Sequence, residues 1–227
     1  MNTEEKKSKP RGMDMCEEKK EAALPRVDLA PGTLLAPIPA ALVTVGDTKA
    51  PNVLTVAWCG ILSTNPARAY ISVRPSRYSY KMLCESGEFV INLTTEELAR
   101  ATDYAGIYTG AKVDKFEKAG LLPGRSKCVG APSLAESPLS IECRVFEVLE
   151  MGTHHVFMAD IVNVSVRADI MDKEGKIRLD KAGLLAYAHG EYYALGKRVG
   201  KFGFSATKKK KSKARRKGKS PKSAPSN

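Results

Sequence analysis

The sequence predicts a mainly β domain with peripheral helices, its strands arranged as a meander or Greek-key barrel. Three β-rich runs, Ala41–Val45, Val53–Trp58 and Ala69–Arg74, follow one another through turns too short for the crossover that a parallel sheet needs. Two longer β runs, Leu139–Glu150 and His154–Val166, meet at Met151-Gly152-Thr153 and close the sheet. With 227 residues, 43% of them hydrophobic, the chain can bury a full core. About 185 residues remain for a single domain once the ends are set aside.

Taken in order, residues 1–24 read as a mobile leader, 25–206 as the domain and 207–227 as a disordered basic tail. Leu34 to Pro39 forms an extended, proline-stiffened approach to the first strand. Gly46-Asp47-Thr48 supplies the turn of an antiparallel hairpin between the first two strands, and Ser63–Pro66 a turn before the third. Pro75 opens a helix over Ser76–Glu85, with Gly87 placed to end it. Glu88–Leu93 is the next strand. Thr94 and Glu97 then form a capping-box signature for a helix from Thr95 to Tyr104. A loop-rich stretch follows, with a short amphipathic piece at Val113–Ala119. After the long strands comes a polar excursion at Asp169–Asp180. The aromatic-rich end Tyr187–Phe204 is expected to pack on the barrel or on a partner subunit.

The net charge of +12 is concentrated at one end, because residues 208–222 hold ten Lys/Arg and no acid, which leaves about +2 for the rest. That run has neither aromatic interleaving nor apolar periodicity. It reads as a solvated tail or as a segment drawn nonspecifically to a polyanion through counterion release. Met1–Lys20 mixes acids and bases without an apolar core, so no secretory signal is expected. Two uncharged windows, Leu29–Gly46 and Ala50–Ala67, are broken by prolines and asparagines and read as buried sheet, not membrane spans. Five cysteines without a C-x-x-C pair suggest neither a disulfide framework nor a zinc site, and a cytoplasmic location follows.

Two stretches carry chemistry. Arg74-Pro75-Ser76-Arg77-Tyr78-Ser79 offers two guanidinium groups, two hydroxyls and the first turn of a helix, which together suit a phosphate monoester. The plainer alternative is that Ser76 caps the helix while the arginines are solvated. In Asn52–Gly60, strand alternation puts Thr55, Ala57 and Cys59 on one face, where small side chains would let a flat aromatic ring lie against the backbone. Leu54, Val56 and Trp58 make a core-like opposite face; the alternative is a small-residue strand packed beneath a helix.

With these stretches in place the chain resembles the flavin reductase-like, FMN-binding split-barrel family, especially its flavoredoxin branch, from about Pro37 to Ser205. The resemblance is carried by Asn52-x-x-Thr55-x-Ala57-Trp58, Ser63-Thr64-Asn65-Pro66, Ser72-Val73-Arg74-Pro75-x-Arg77-x-Ser79, Gly87–Leu93, Val113-Asp114-Lys115-Phe116 and Tyr187–Ser205, in that order. It implies a six-stranded FMN-binding split barrel, a homodimer, and FMN near the subunit interface. It further implies that Thr55, Ala57, Trp58 and Cys59 line the isoalloxazine, Thr64 and Asn65 its edge, and Arg74, Ser76, Arg77 and Ser79 the phosphate, with Asn52 also a cofactor-binding residue. Asp114, Lys115 and Phe116 would sit in a loop approaching the flavin, with Lys115 a further cofactor contact.

In such a family, hydride passes from NADH or NADPH to flavin N5, and the protein's work is positioning and electrostatics. No catalytic acid or base is therefore expected among the side chains. His155 resembles the histidine near the flavin in several relatives, where it could seat the nicotinamide; a strand histidine satisfied by a hydrogen bond is the competing reading. His154 and His155 point to opposite faces and make a poor metal pair. The implied function is an oxidoreductase passing electrons from NAD(P)H through FMN to a flavin, protein or small-molecule acceptor. A flavoredoxin-type electron carrier, or a module binding another phosphate or polyanion, are the alternatives.

Overall fold

The structure, a computed structural model, describes residues 24–206. The expected leader, apart from Leu24, and the expected tail at 207–227 lie outside the described residues. Residues 24–34 belong to a unit of their own and are exposed, without helix or strand. The second unit starts at Leu35.

Its strands in chain order are β1 (Ile38–Pro39), β2 (Ala41–Val45), β3 (Asn52–Val56), β4 (Cys59–Thr64), β5 (Ala67–Val73), β6 (Glu88–Asn92), β7 (Pro123–Gly124), β8 (Ser133–Leu134), β9 (Leu139–Met151), β10 (His154–Val166), β11 (Leu185–Ala188) and β12 (Glu191–Ala194). Three α-helices, α1 (Tyr78–Ser86), α2 (Ala99–Ile107) and α3 (Lys115–Ala119), lie between them. The main sheet runs β3-β2-β6-β9-β10-β5-β4, antiparallel throughout. The fold is thus mainly β, as expected, and a split barrel.

The first hairpin forms as the short turn requires, pairing Ala41 with Val56 and Val45 with Asn52. Every residue of β2 is buried because the strand is covered on both faces. Val43 and Val45 enter a cluster inside the barrel with Ile71, Phe89 and Phe157. Leu42 points the other way, into a second cluster with Leu98, which directly precedes α2, Ala101 and Ala105 of α2 and Phe116 of α3. Asn92 joins the layers. Its amide donates to the Leu42 carbonyl at 3.0 Å, and its carbonyl accepts from the Leu134 N–H at 3.0 Å and the Ser140 hydroxyl at 2.7 Å.

The structure departs from the sequence reading in three places. The run Val53–Trp58 does not continue as one strand: β3 stops at Val56, Ala57 and Trp58 bend, and Cys59 begins β4. This added strand makes the main sheet seven-stranded, against the six expected. Gly60 and Ser63 weaken its β signal, and pairing with β5, through an irregularity between Ile61 and Ser63, holds it in place. The capping box does not form, since the Thr94 hydroxyl donates instead to the Ala40 carbonyl at 2.6 Å and a 3₁₀ turn over Glu96–Leu98 leads into α2. Finally, the helix expected from Ser76 starts two residues later, with Arg77 at its N-cap position and no side-chain capping bond, so the alternative of Ser76 as the cap is not met. Gly87 ends α1 as expected, at φ 62° and with its N–H on the Leu83 carbonyl at 2.9 Å. The aromatic end folds as the hairpin β11–β12, which pairs with β1 on the same chain.

Candidate functional site: a cationic cleft at the β3–β4 bend

The bend at Ala57-Trp58, the exit of β5 and the start of β10 surround one cleft. Thr55, Ala57, Trp58, Arg74, Arg77 and His154 line it. Strand pairing explains the convergence. Val73 lies opposite His155, so the end of β5 delivers Arg74 where β10 begins. The Ser72 N–H donates to the Trp58 carbonyl at 2.8 Å and ties the bend to the same place. Trp58 is 39% exposed, and its ring meets that of His154 at 4.5 Å between centroids, tilted by 42°.

The cleft is cationic. The Arg77 guanidinium donates to the Gly106 carbonyl at 2.9 Å, near the C-terminus of α2. The side chain of Arg74 makes neither a hydrogen bond nor an ion pair among the described residues. Desolvation, reinforced by the charges of Arg74 and Arg77, holds the His154 imidazole below its ordinary value and so favours the neutral ring.

Across Arg77 lies a second hollow, lined by Asn52, Tyr78, Lys112 and Lys115 among others. Asn52 is buried, and its amide donates to the Ser79 hydroxyl at 2.6 Å. The Lys115 ammonium is buried as well. It donates to the carbonyls of Val53 at 2.9 Å and Ala105 at 2.8 Å, and burial, with the nearby Arg77 charge, pulls its pKa down to about 8. Asp114 caps α3 by accepting from the Glu117 N–H at 3.0 Å, which aims Lys115 inward. Thr55 also leans on α2, its hydroxyl donating to the Thr102 carbonyl. The last turn of α2, whose carbonyls lack helical partners, is therefore the acceptor for Arg77 and Lys115 together.

Of the residues singled out in the sequence, Thr55, Ala57, Trp58, Arg74 and Arg77 share the cleft, while Asn52 and Lys115 line the hollow beside it. Ser79 is buried against Asn52, and Ser76 is exposed ahead of α1. Four expectations need correction. Cys59 does not share a face with Thr55 and Ala57, because the bend resets the alternation; it packs against the barrel core, and burial pushes its thiol up to about 11. For the same reason Trp58 turns to the cleft and not to the core. Thr64 and Asn65 sit at the far end of the β4–β5 hairpin, about 20 Å from Trp58 at the rise of an extended strand. His155, matched to a nicotinamide contact, faces away from the cleft, where the Tyr80 hydroxyl bonds its Nδ1 at 2.8 Å. The alternation of the two histidines was legible in the sequence, but choosing between them required the register of β10 on β5. Among the residues the sequence reading passed over are His154 and the carbonyls at the end of α2.

Residues 35–196 match the model of the flavin reductase-like domain. The chain belongs to that family. An uncharacterized protein of Archaeoglobus fulgidus is 37% identical over 131 residues, 58% of this chain and 73% of the relative. Among solved structures, the flavoredoxin of Desulfovibrio vulgaris (Miyazaki F) is similar with a TM-score of 0.74 and 32% identity, over 80% of this chain and 100% of that one. A flavoredoxin from Methanosarcina acetivorans follows with a TM-score of 0.72 and 25% identity, over 81% and 100% of the two chains. The nitrilotriacetate monooxygenase component B of Bacillus cereus, 21% identical with a TM-score of 0.66 over 73% of this chain and 88% of that one, shares the fold.

Proposed function

We propose that the protein is an FMN-dependent oxidoreductase that takes electrons from NADH or NADPH and delivers them to a flavin, protein or small-molecule acceptor. The observation that carries this reading is the cleft itself: the bend at Ala57-Trp58 beside Thr55, walled by Trp58 and His154 and flanked by two arginines without an acidic partner among the described residues. FMN suits that donor set. Arg74 and Arg77 would take the phosphate, and the backbone of Thr55–Trp58 the polar edge of the ring. FMN supplies the two-electron chemistry when bound. The chain's contribution is to hold charge and shape: α2 fixes Arg77, the Trp58–His154 pair forms one wall, and the two arginines favour the neutral form of His154 over a third cation.

The likeness to two flavoredoxins favours a second reading, an FMN electron carrier that exchanges electrons with protein partners. Anaerobic mixing of the FMN-loaded protein with NADH and NADPH separates the two. Rapid bleaching of the oxidised-flavin absorption is expected, and bleaching only by a reduced partner protein would select the carrier.

A homodimer is proposed with the same cleft at its edge. Met151 pairs with His154 and Leu149 with Val156, so these side chains share the outer face that Ser72 and His154 carry into the cleft. Leu149 is 40% and Met151 63% exposed, an apolar strip that a second copy would cover. Replacing both by glutamate is expected to give monomers by light scattering and to loosen FMN; an unchanged dimer would remove this face from the interface. The four described cysteines are free, which supports placing the protein in the reducing cytoplasm. The basic run at 208–222 is proposed to add nonspecific, salt-sensitive attraction to polyanions.

A further inference from the structure

Beyond the β11–β12 hairpin the chain continues as an arm. The Leu195 N–H donates to the Leu184 carbonyl at 3.2 Å and ties the arm's root to the hairpin. Every residue from Tyr193 to Ala206 is exposed. The match to the flavin reductase-like domain ends at Gly196, so residues 197–206 lie beyond it. Two turns shape this segment: the Phe204 N–H bonds the Lys201 carbonyl at 3.0 Å, and the Ala206 N–H bonds the Gly203 carbonyl at 3.2 Å. Gly203 permits the tight path at φ 81°. A Cβ at Gly200 would lie 2.7 Å from the Phe204 ring, so that ring folds back on the glycine. Phe202 stands between the two, wholly exposed, and Val199 is 93% exposed.

The charge on this arm has one sign. Lys197, Arg198 and Lys201 alternate with the apolar side chains, and no Asp or Glu follows Glu191 in the sequence. Arg198 lies in the field of Asp180, a carboxylate that Arg178 already holds at 2.7 and 2.9 Å. The side chains of Lys197 and Lys201 have neither a hydrogen bond nor an ion pair among the described residues. The sequence then runs into the ten Lys/Arg of residues 208–222. A partner must therefore be anionic and must also give Val199 and Phe202 an apolar place. A nucleic acid meets the charges and can stack on a phenylalanine, but it offers nothing to Val199. An anionic lipid surface meets both demands. Stable binding there takes an apolar and a polybasic signal together, and this chain sets one directly before the other.

We infer that residues 197–206, followed by the basic run at 208–222, dock the protein on an anionic lipid surface, with Val199 and Phe202 entering the headgroup boundary. The inference rests on the reading of that run as drawn to polyanions and narrows the partner to one with an apolar interior.

The test uses the full chain and co-sedimentation with vesicles of phosphatidylcholine holding about 30% phosphatidylglycerol, beside vesicles of phosphatidylcholine alone. Saturable binding to the anionic vesicles, and little to the neutral ones, is expected. Phe202→Ser, at a wholly exposed position, should weaken vesicle binding about five- to tenfold and leave binding of a single-stranded oligonucleotide of about 20 nucleotides unchanged. Lys208→Glu and Lys210→Glu together should weaken both by at least about tenfold. In Phe202→Trp, emission should move to shorter wavelength on the anionic vesicles, relative to the parent with Trp58 alone. No binding to the anionic vesicles overturns the inference; an oligonucleotide that still binds then leaves the polyanion reading standing. Vesicle binding unmoved by Phe202→Ser would rest on charge alone and overturn it too. Weaker oligonucleotide binding in Phe202→Ser would give the arm to nucleic acid, and monomers in place of a parent dimer by light scattering would give it to a second copy; either result overturns the inference. These readouts need no bound flavin, so the redox reading stands or falls separately.

Discussion

Replacing Arg74 by alanine is expected to weaken FMN binding by about 1.5–3 kcal/mol, roughly 10- to 150-fold, the value of a charged hydrogen bond to phosphate. Arg77→Ala should cost at least as much, for a further reason. Arg77 holds the Gly106 carbonyl at 2.9 Å, so its loss also frees the end of α2. Lysine at the two positions separates the effects. A point charge restores part of the attraction at Arg74, where nothing else in the described chain engages the side chain. At position 77 it cannot serve the carbonyl and the ligand with one planar fork. Flavin fluorescence recovery on titration measures both; unchanged affinity in both alanine variants would remove the phosphate assignment.

The second large effect belongs to Lys115. Its ammonium serves the carbonyl of Val53, in the edge strand β3, and that of Ala105, in the last turn of α2. Lys115→Met keeps the aliphatic stem but strips both acceptors of this donor, at about 1–3 kcal/mol each, while relieving the cost of a buried charge, so a net loss of about 1–3 kcal/mol at pH 7 is expected. The pH dependence carries the signature. The folded-state pKa, about 8, lies below the ordinary 10.5. Between those values the unfolded chain binds more protons, so the contribution of Lys115 to stability is smallest below pH 8 and rises towards pH 10.5, by about 3 kcal/mol at most. Cys59 and Cys143, whose thiols are pushed up by burial, lower stability over the same range in parent and variant alike, so the signature is the difference: urea unfolding at pH 7 and pH 10 should show the parent-minus-variant stability widening with pH. A difference that stays constant between the two pH values would assign the effect to another group.

Much of the barrel was legible because its strands announce themselves. Ala41–Val45 and Val53–Val56 are unbroken β-formers around a turn, and Leu139 to Val166 folds back on Gly152. What stayed hidden was decided by tertiary pairing. Cys59–Thr64 becomes a strand only because β5 offers an edge, and Thr94 abandons a local cap for a carbonyl 54 residues away in sequence. The same division runs through the site. Arg74 and Arg77 could be chosen by residue type and their place before a helix. Cys59, Trp58 and the choice of His154 over His155 depended on a bend and a register that periodicity alone does not reveal. Lys115 was singled out from a motif, yet its burial, and the backbone it serves, belong to packing.

Helix α2 supports the cleft and the hollow beside it only through main-chain oxygens, at Thr102, Ala105 and Gly106, and gives the side chains of Ala101, Thr102 and Ala105 to the core. A carbonyl is supplied by any residue that keeps the helix. The face of α2 at Arg100 and Tyr104 is therefore free to drift in sequence while the scaffold under the arginine and lysine stays fixed.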